Sequence, residues 1–261
     1  MRRVTSTITI THPEGVILGA DKYITYPMDP SRQVFKYIVR DKIYETKKTN
    51  AGISFWGLGD YAETEGVNFL KEFDENTLTK DDFVDEIASK LKEKLETLEI
   101  RMRCGFHIAG YSESSKPKLR HVFHETWHGK GEFTNEDCNK ELHDSLGNKI
   151  SYRYAKDFPV LFNGDNFIAN ALFNFRNLDE TRPYIRILPR KLSFEECLEV
   201  VALIISTSIN RLDYYFDVSK YKKIEPDVGG GISILVISKG KPRWIQIKYE
   251  SIHEILHKYR V

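Results

Sequence analysis

"RRVTSTITITHPEGVILGADKYIT" (residues 2–25) decides how this chain folds. From Thr5 to Thr11 polar and apolar residues alternate. Thr5, Thr7, Thr9 and Thr11 fall on one side of a strand, and Ser6, Ile8 and Ile10 on the other. His12-Pro13-Glu14-Gly15 is turn chemistry. Val16-Ile17-Leu18-Gly19-Ala20 is then a continuous apolar run, the signature of a strand buried on both faces. It ends on Asp21, and a carboxylate at the end of a buried strand is costly unless a partner or a function keeps it there.

Working outward, Lys42–Thr46 and Ala51–Gly57 read as a second hairpin around Lys48-Thr49-Asn50, and residues 26–41, with two prolines and mixed charge, as a loop. Helical spacing follows. Val67, Leu70 and Phe73 share a face, and Thr79-Lys80-Asp81-Asp82 reads as a capping box opening a helix with the stripe Phe83, Ile87, Leu91 and Leu95. Strands return at Cys104–Tyr111, Lys118–His124 and Phe158–Phe162, with loop-rich sequence over 129–158. A helix carries Phe167, Ile168, Ala171, Leu172 and Phe175. A second opens at the box Ser193-Phe194-Glu195-Glu196, runs to about Tyr215 and is apolar on most sides. The strands Ile232–Ile237 and Pro242–Ile247 and a short helix with Ile252, Ile255, Leu256 and Tyr259 close the chain. Helices grouped in pairs argue against a doubly wound parallel sheet and for two stacked antiparallel sheets covered by helix pairs in one domain.

Composition narrows the classes of function. Lys and Arg number 39 against 38 Asp and Glu, a net charge of +1, so no basic footprint for nucleic acid is present. Three cysteines in no paired spacing fit a reducing compartment rather than a disulfide framework or a thiolate metal site. Residues 1–20 lack the apolar core of a signal peptide, and the longest apolar run, Val200–Ile205, is too short to span a bilayer. The expected location is cytoplasmic, without membrane contact. His121, His124 and His128 fit no metal-ligand spacing, and Gly229-Gly230-Gly231 precedes a strand without the Lys-Ser/Thr of a phosphate loop, so neither metal nor cofactor is expected.

Several of these stretches share a pattern. "TSTITITHPEGVILGADKYIT" resembles the opening of proteasome β-type subunits and their bacterial relatives: a Thr-rich strand, a tight turn, and an apolar strand ending in Asp-x-x-x-Thr. "KIYETKKTNAGISFWGLGD" is similar to the family's lysine-bearing hairpin with its following glycine. "HIAGYS", "NGDNFIANAL", "SFEECLEVVALIISTSI" and "GGGISILVISKG" follow in the family's order. The resemblance implies a four-layer αββα sandwich of the N-terminal-nucleophile hydrolase type over residues 5–261, preceded by a short propeptide, residues 1–4. It places the nucleophile on Thr5, the acid on Asp21, the lysine on Lys42 and the oxyanion glycine on Gly57. Asn163 stands where the family commonly has a serine near the nucleophile, and Asp227 partly replaces a later Asp-x-x-Ser. Trp56 stands in place of a small residue beside the glycine.

The chemistry explains those residue types. An N-terminal threonine combines nucleophile and base: the hydroxyl attacks a carbonyl while the free α-amine takes the proton. That amine titrates at roughly 7.7–8.0, so much of it is neutral near physiological pH. A neighbouring lysine ammonium favours the neutral amine, a carboxylate holds the lysine charged, and a glycine N–H receives the oxyanion. The base exists only once the Val4–Thr5 bond is cut. The expected activity is threonine-type hydrolysis of peptides or unfolded protein by a homo-oligomer, with no unfoldase partner identifiable. Two alternatives stand beside it: an inactive scaffold or binding subunit, and a small-molecule amidase. On the blander reading Thr5 is one of four outward threonines and Asp21–Lys42 a structural ion pair.

Overall fold

The computed structural model describes residues 6–29, 34–57, 66–98, 104–124, 133–138, 160–164, 192–218, 230–239 and 242–246. The opening stretch forms a hairpin, β1 (Ser6–His12) and β2 (Gly15–Asp21), paired antiparallel with Thr7 opposite Ala20 and His12 opposite Gly15. A ribbon of β3 (Tyr23–Asp29) and β4 (Val34–Val39) comes next, with an irregularity between Pro27 and Asp29. The loop expected over 26–41 is therefore largely strand. Proline is tolerated at such an irregular edge, and the Val34–Val39 run has the β-branched and aromatic residues that favour strands.

β5 (Ile43–Glu45) and β6 (Ala51–Trp56) form the second hairpin. The helices α1 (Gly66–Thr77) and α2 (Val84–Glu96) follow, then β7 (Cys104–Tyr111), β8 (Pro117–His124), β9 (Thr134–Asp137) and β10 (Val160–Gly164). The last elements are α3 (Phe194–Val218), β11 (Ile232–Ser238) and β12 (Arg243–Gln246). One antiparallel sheet has the order β10-β1-β2-β11-β12 and the other β5-β6-β7-β8-β9. They stack with β1 and β2 against β6, β7 and β8.

Two capping readings fare differently. Ser193 does open α3: its hydroxyl accepts from the Glu196 amide at 3.2 Å and the Glu196 carboxylate accepts from the Ser193 amide at 2.7 Å. Thr79 does not open α2. Its amide bonds the Asp82 carboxylate in a turn, and the helix begins after Phe83, whose amide is held by Glu86 at 3.1 Å.

The core has three parts. Ile87, Leu91 and Leu95 of α2, with Leu70 and Phe73 of α1, pack on Ile53, Phe55, Phe106 and Ile108 of the second sheet. Cys197, Val201, Ile204 and Ile205 of α3 pack on Ile8, Ile10, Ile17 and Ile234 of the first. Val16, Leu18, Ala109, Leu119, Leu161 and Leu235 fill the space between the sheets.

The architecture is mainly antiparallel β and corrects the expected four-layer αββα sandwich. The described residues hold two five-stranded sheets and a ribbon but three helices, and among those residues α3 alone packs on the first sheet. The expectation counted helices from apolar periodicity, which does not say how many a sheet needs. A helix of 25 residues, about 37 Å long, crosses β1, β2 and β11. The helices expected at Phe167–Phe175 and Ile252–Tyr259 lie outside the described residues, as do residues 1–4 of the expected propeptide.

Candidate functional site

Strand alternation sends Thr7, Thr9 and Thr11 to the face of β1 that meets the second sheet, where all three are buried. They are not the outward threonines of the blander reading. A buried hydroxyl needs a partner, and the second sheet provides them. The Thr7 hydroxyl lies 3.2 Å from the Ser54 hydroxyl and 3.3 Å from the Gly19 carbonyl. Thr9 Oγ1 lies 2.9 Å from His107 Nδ1, and His107 Nε2 lies 2.8 Å from Asn163 Oδ1. The Asn163 oxygen only accepts, so His107 donates from Nε2, and its Nδ1 meets the Thr9 hydroxyl on the other side of the ring. Trp56 donates from Nε1 to His121 Nε2 at 3.3 Å. One part of the space between the sheets is thus apolar, and another is a polar seam.

At the end of β2 the carboxylate of Asp21 finds two donors. The Ser6 amide reaches its Oδ1 at 2.8 Å and Lys42 Nζ reaches the same oxygen at 2.7 Å. Neither Asp21 nor Lys42 is more than 1% exposed. Burial pushes the Lys42 ammonium below lysine's ordinary range, against the opposing pull of the Asp21 charge and hydrogen bond. The Lys42 carbonyl accepts from the Phe55 amide at 3.0 Å, which fixes the lysine's backbone to β6. Two residues beyond Phe55, Gly57 has φ +78°, a left-handed conformation that glycine adopts without strain.

The structure therefore brings Asp21 and Lys42 into contact, and Asp21 also accepts from the backbone amide of Ser6, the residue after Thr5. Gly57 follows β6, the strand that pairs with β5 next to Lys42. Asn163 lies opposite Thr7 in the β1–β10 register, with its side chain on His107. Thr5 and Asp227 lie outside the described residues. Trp56 lies across Gly105 of β7 and is buried.

Sequence reasoning missed His107. Its signal was present: one histidine in the middle of an otherwise apolar strand, "CGFHIAGY", demands a hydrogen-bonding partner from a facing element. His121 and His124, three apart on β8, face opposite sides of the sheet, one toward Trp56 and the other toward Phe133. Among the described residues no three His, Cys, Asp or Glu side chains are grouped to hold a metal ion. No helix among them is long and apolar enough to cross a membrane. Neither a known family model nor a curated protein matches the chain.

Proposed function

We propose that this protein is a threonine-type amide-bond hydrolase, similar in its chemistry to a proteasome β-type subunit and acting on peptides, with Thr5 as nucleophile after loss of residues 1–4. The observation that supports it is the buried Asp21–Lys42 pair bonded to the Ser6 amide. A purely structural ion pair gains nothing by sitting at the start of a strand, since burying two charges costs about what their attraction returns. Next to a terminal threonine the same pair has a use. The ammonium keeps the α-amine neutral as a base and stabilises the alkoxide as the hydroxyl gives up its proton. Asp21 holds the ammonium in place. The Gly57 amide, at the end of β6, receives the oxyanion of the tetrahedral intermediate, an interaction typically worth about 3–4 kcal/mol.

Subunits of such enzymes assemble, and a homo-oligomer in the cytoplasm is part of the reading. The test compares the full chain, a form starting at Thr5, and Thr5→Ala in that form, against fluorogenic peptides and a threonine-directed electrophile. Hydrolysis and labelling by the Thr5-start form, both lost in Thr5→Ala, support the reading. A folded Thr5-start form indistinguishable from Thr5→Ala overturns it in favour of an inactive scaffold.

A further inference from the structure

The dipeptide Asp-Lys occurs twice beside this site, as Asp21-Lys22 at the end of β2 and as Asp41-Lys42 just before β5. The two exchange partners. Lys42 Nζ meets Asp21 Oδ1 at 2.7 Å in the interior. Lys22 Nζ meets Asp41 Oδ1 at 2.9 Å at the surface, where the two side chains are 31% and 54% exposed. Successive side chains of an extended chain point to opposite sides. Two such dipeptides laid side by side therefore put one ion pair inside and one outside.

An exposed ion pair is usually worth little, but this one is anchored to a third segment. The Ser233 hydroxyl, buried on β11, donates to the same Asp41 oxygen. Although partial burial opposes ionisation, the Ser233 hydroxyl and the Lys22 ammonium hold the Asp41 carboxyl below its ordinary range. The backbone repeats the connection. The Lys22 amide donates to the Gly231 carbonyl at 3.2 Å, and the Arg40 amide donates to the Lys22 carbonyl at 2.8 Å. The segment that delivers Lys42 is thus tied to β2 and β11 on the residue just before it.

We infer that Ser233, Asp41 and Lys22 are positioning residues for the Lys42 ammonium, the outer half of a reciprocal clamp that sets it against Asp21. A lysine side chain is long and flexible, and the place of its ammonium depends on where residues 41 and 42 are held. The kinetic part of the test rests on the hydrolase reading, but the titration of Lys42 does not.

The experiment follows the ε-carbon and ζ-nitrogen resonances of isotopically labelled lysine in the full chain, with Lys42 assigned from its missing signal in Lys42→Met. Ser233→Ala changes no charge. It should lower the Lys42 midpoint by at least about half a pH unit, because the ammonium stays buried while its contact with Asp21 loosens. Ser233→Thr, which keeps the hydroxyl, should retain the wild-type midpoint. Asp41→Asn should shift it in the same direction as Ser233→Ala. In the Thr5-start form, Ser233→Ala should lower kcat about tenfold with little change in KM. An unmoved Lys42 midpoint in folded Ser233→Ala overturns the inference. Should that variant not fold, an unmoved midpoint in Asp41→Asn does the same. A moved midpoint in a protein that hydrolyses nothing upholds the clamp and removes the hydrolase reading.

Discussion

Lys42 and Asp21 meet at 2.7 Å with both side chains out of contact with water. Removing one partner from such a pair strands the other charge. Lys42→Met should therefore destabilise the fold by about 3–5 kcal/mol, far more than loss of a surface contact. Asp21→Asn/Lys42→Met should recover most of that, since asparagine keeps an acceptor for the Ser6 amide and no charge remains buried. Urea denaturation of the wild type and both variants checks this. A single variant costing less than about 1 kcal/mol would mean that the pair is open to solvent.

The lowered midpoint of Lys42 gives stability and activity opposite pH dependences. Below the folded-state midpoint the lysine is charged in both the folded and unfolded chains, and it contributes no slope. Between that midpoint and the ordinary value of 10.5, the unfolded chain binds the proton more tightly. Stability from this group then rises with pH as the cost of burying the ammonium is relieved. Hydrolysis that needs the ammonium falls over the same window. The alkaline limb of kcat/KM should lie below pH 10.5, and Asp21→Asn should move it lower still, because Asp21 is what opposes the shift. An alkaline limb that Asp21→Asn leaves in place would dissociate Lys42 from catalysis.

Trp56 and Gly105 make a cross-strand fit on adjacent strands. A Cβ on Gly105 would stand 2.7 Å from Cε2 and Nε1 of the Trp56 indole. Gly105→Ala must push the ring aside and take its Nε1 off His121, at about 1–3 kcal/mol. Since Trp56 directly precedes Gly57, the same change should disturb the glycine amide and lower kcat in the Thr5-start form. Tryptophan fluorescence and thermal melting report the first effect, and peptide hydrolysis the second. A wild-type emission spectrum with unchanged melting would refute the fit.

The first hairpin was legible because two patterns agreed: alternating threonines in β1 and an unbroken apolar run in β2, joined by turn residues. The contact of Asp21 with Lys42 was also within reach, because a carboxylate closing a buried strand must be paired and the resemblance named the lysine. Alternation says which residues share a face but not whether that face meets water. Thr7 and Thr9 could therefore be read as outward until the second sheet supplied Ser54 and His107. The β3–β4 ribbon was obscured by Pro27, whose usual meaning of loop gives way at an irregular strand. Ser233 and Asp41 are 192 positions apart, and no local pattern links residues that only the sheet order brings together.

His107 joins Thr9 to Asn163 through both ring nitrogens, and the three side chains come from three strands in both sheets. His107→Phe keeps a ring of similar size but deletes the ring partner of the Thr9 hydroxyl and a donor for Asn163. Each buried polar group left unmatched costs about 1–3 kcal/mol, so the variant should lose about 2–6 kcal/mol. Adding Thr9→Val removes one of the stranded groups while preserving the branched shape. The double variant should then be more stable than His107→Phe alone, although Thr9→Val by itself destabilises. That sign reversal is the mark of a shared network, with a coupling of at least about 1 kcal/mol in the double-mutant cycle. Denaturant titrations of the four proteins decide it. Effects that add within about 0.5 kcal/mol would mean that Thr9 and His107 act separately and that the seam does not join the sheets as a unit.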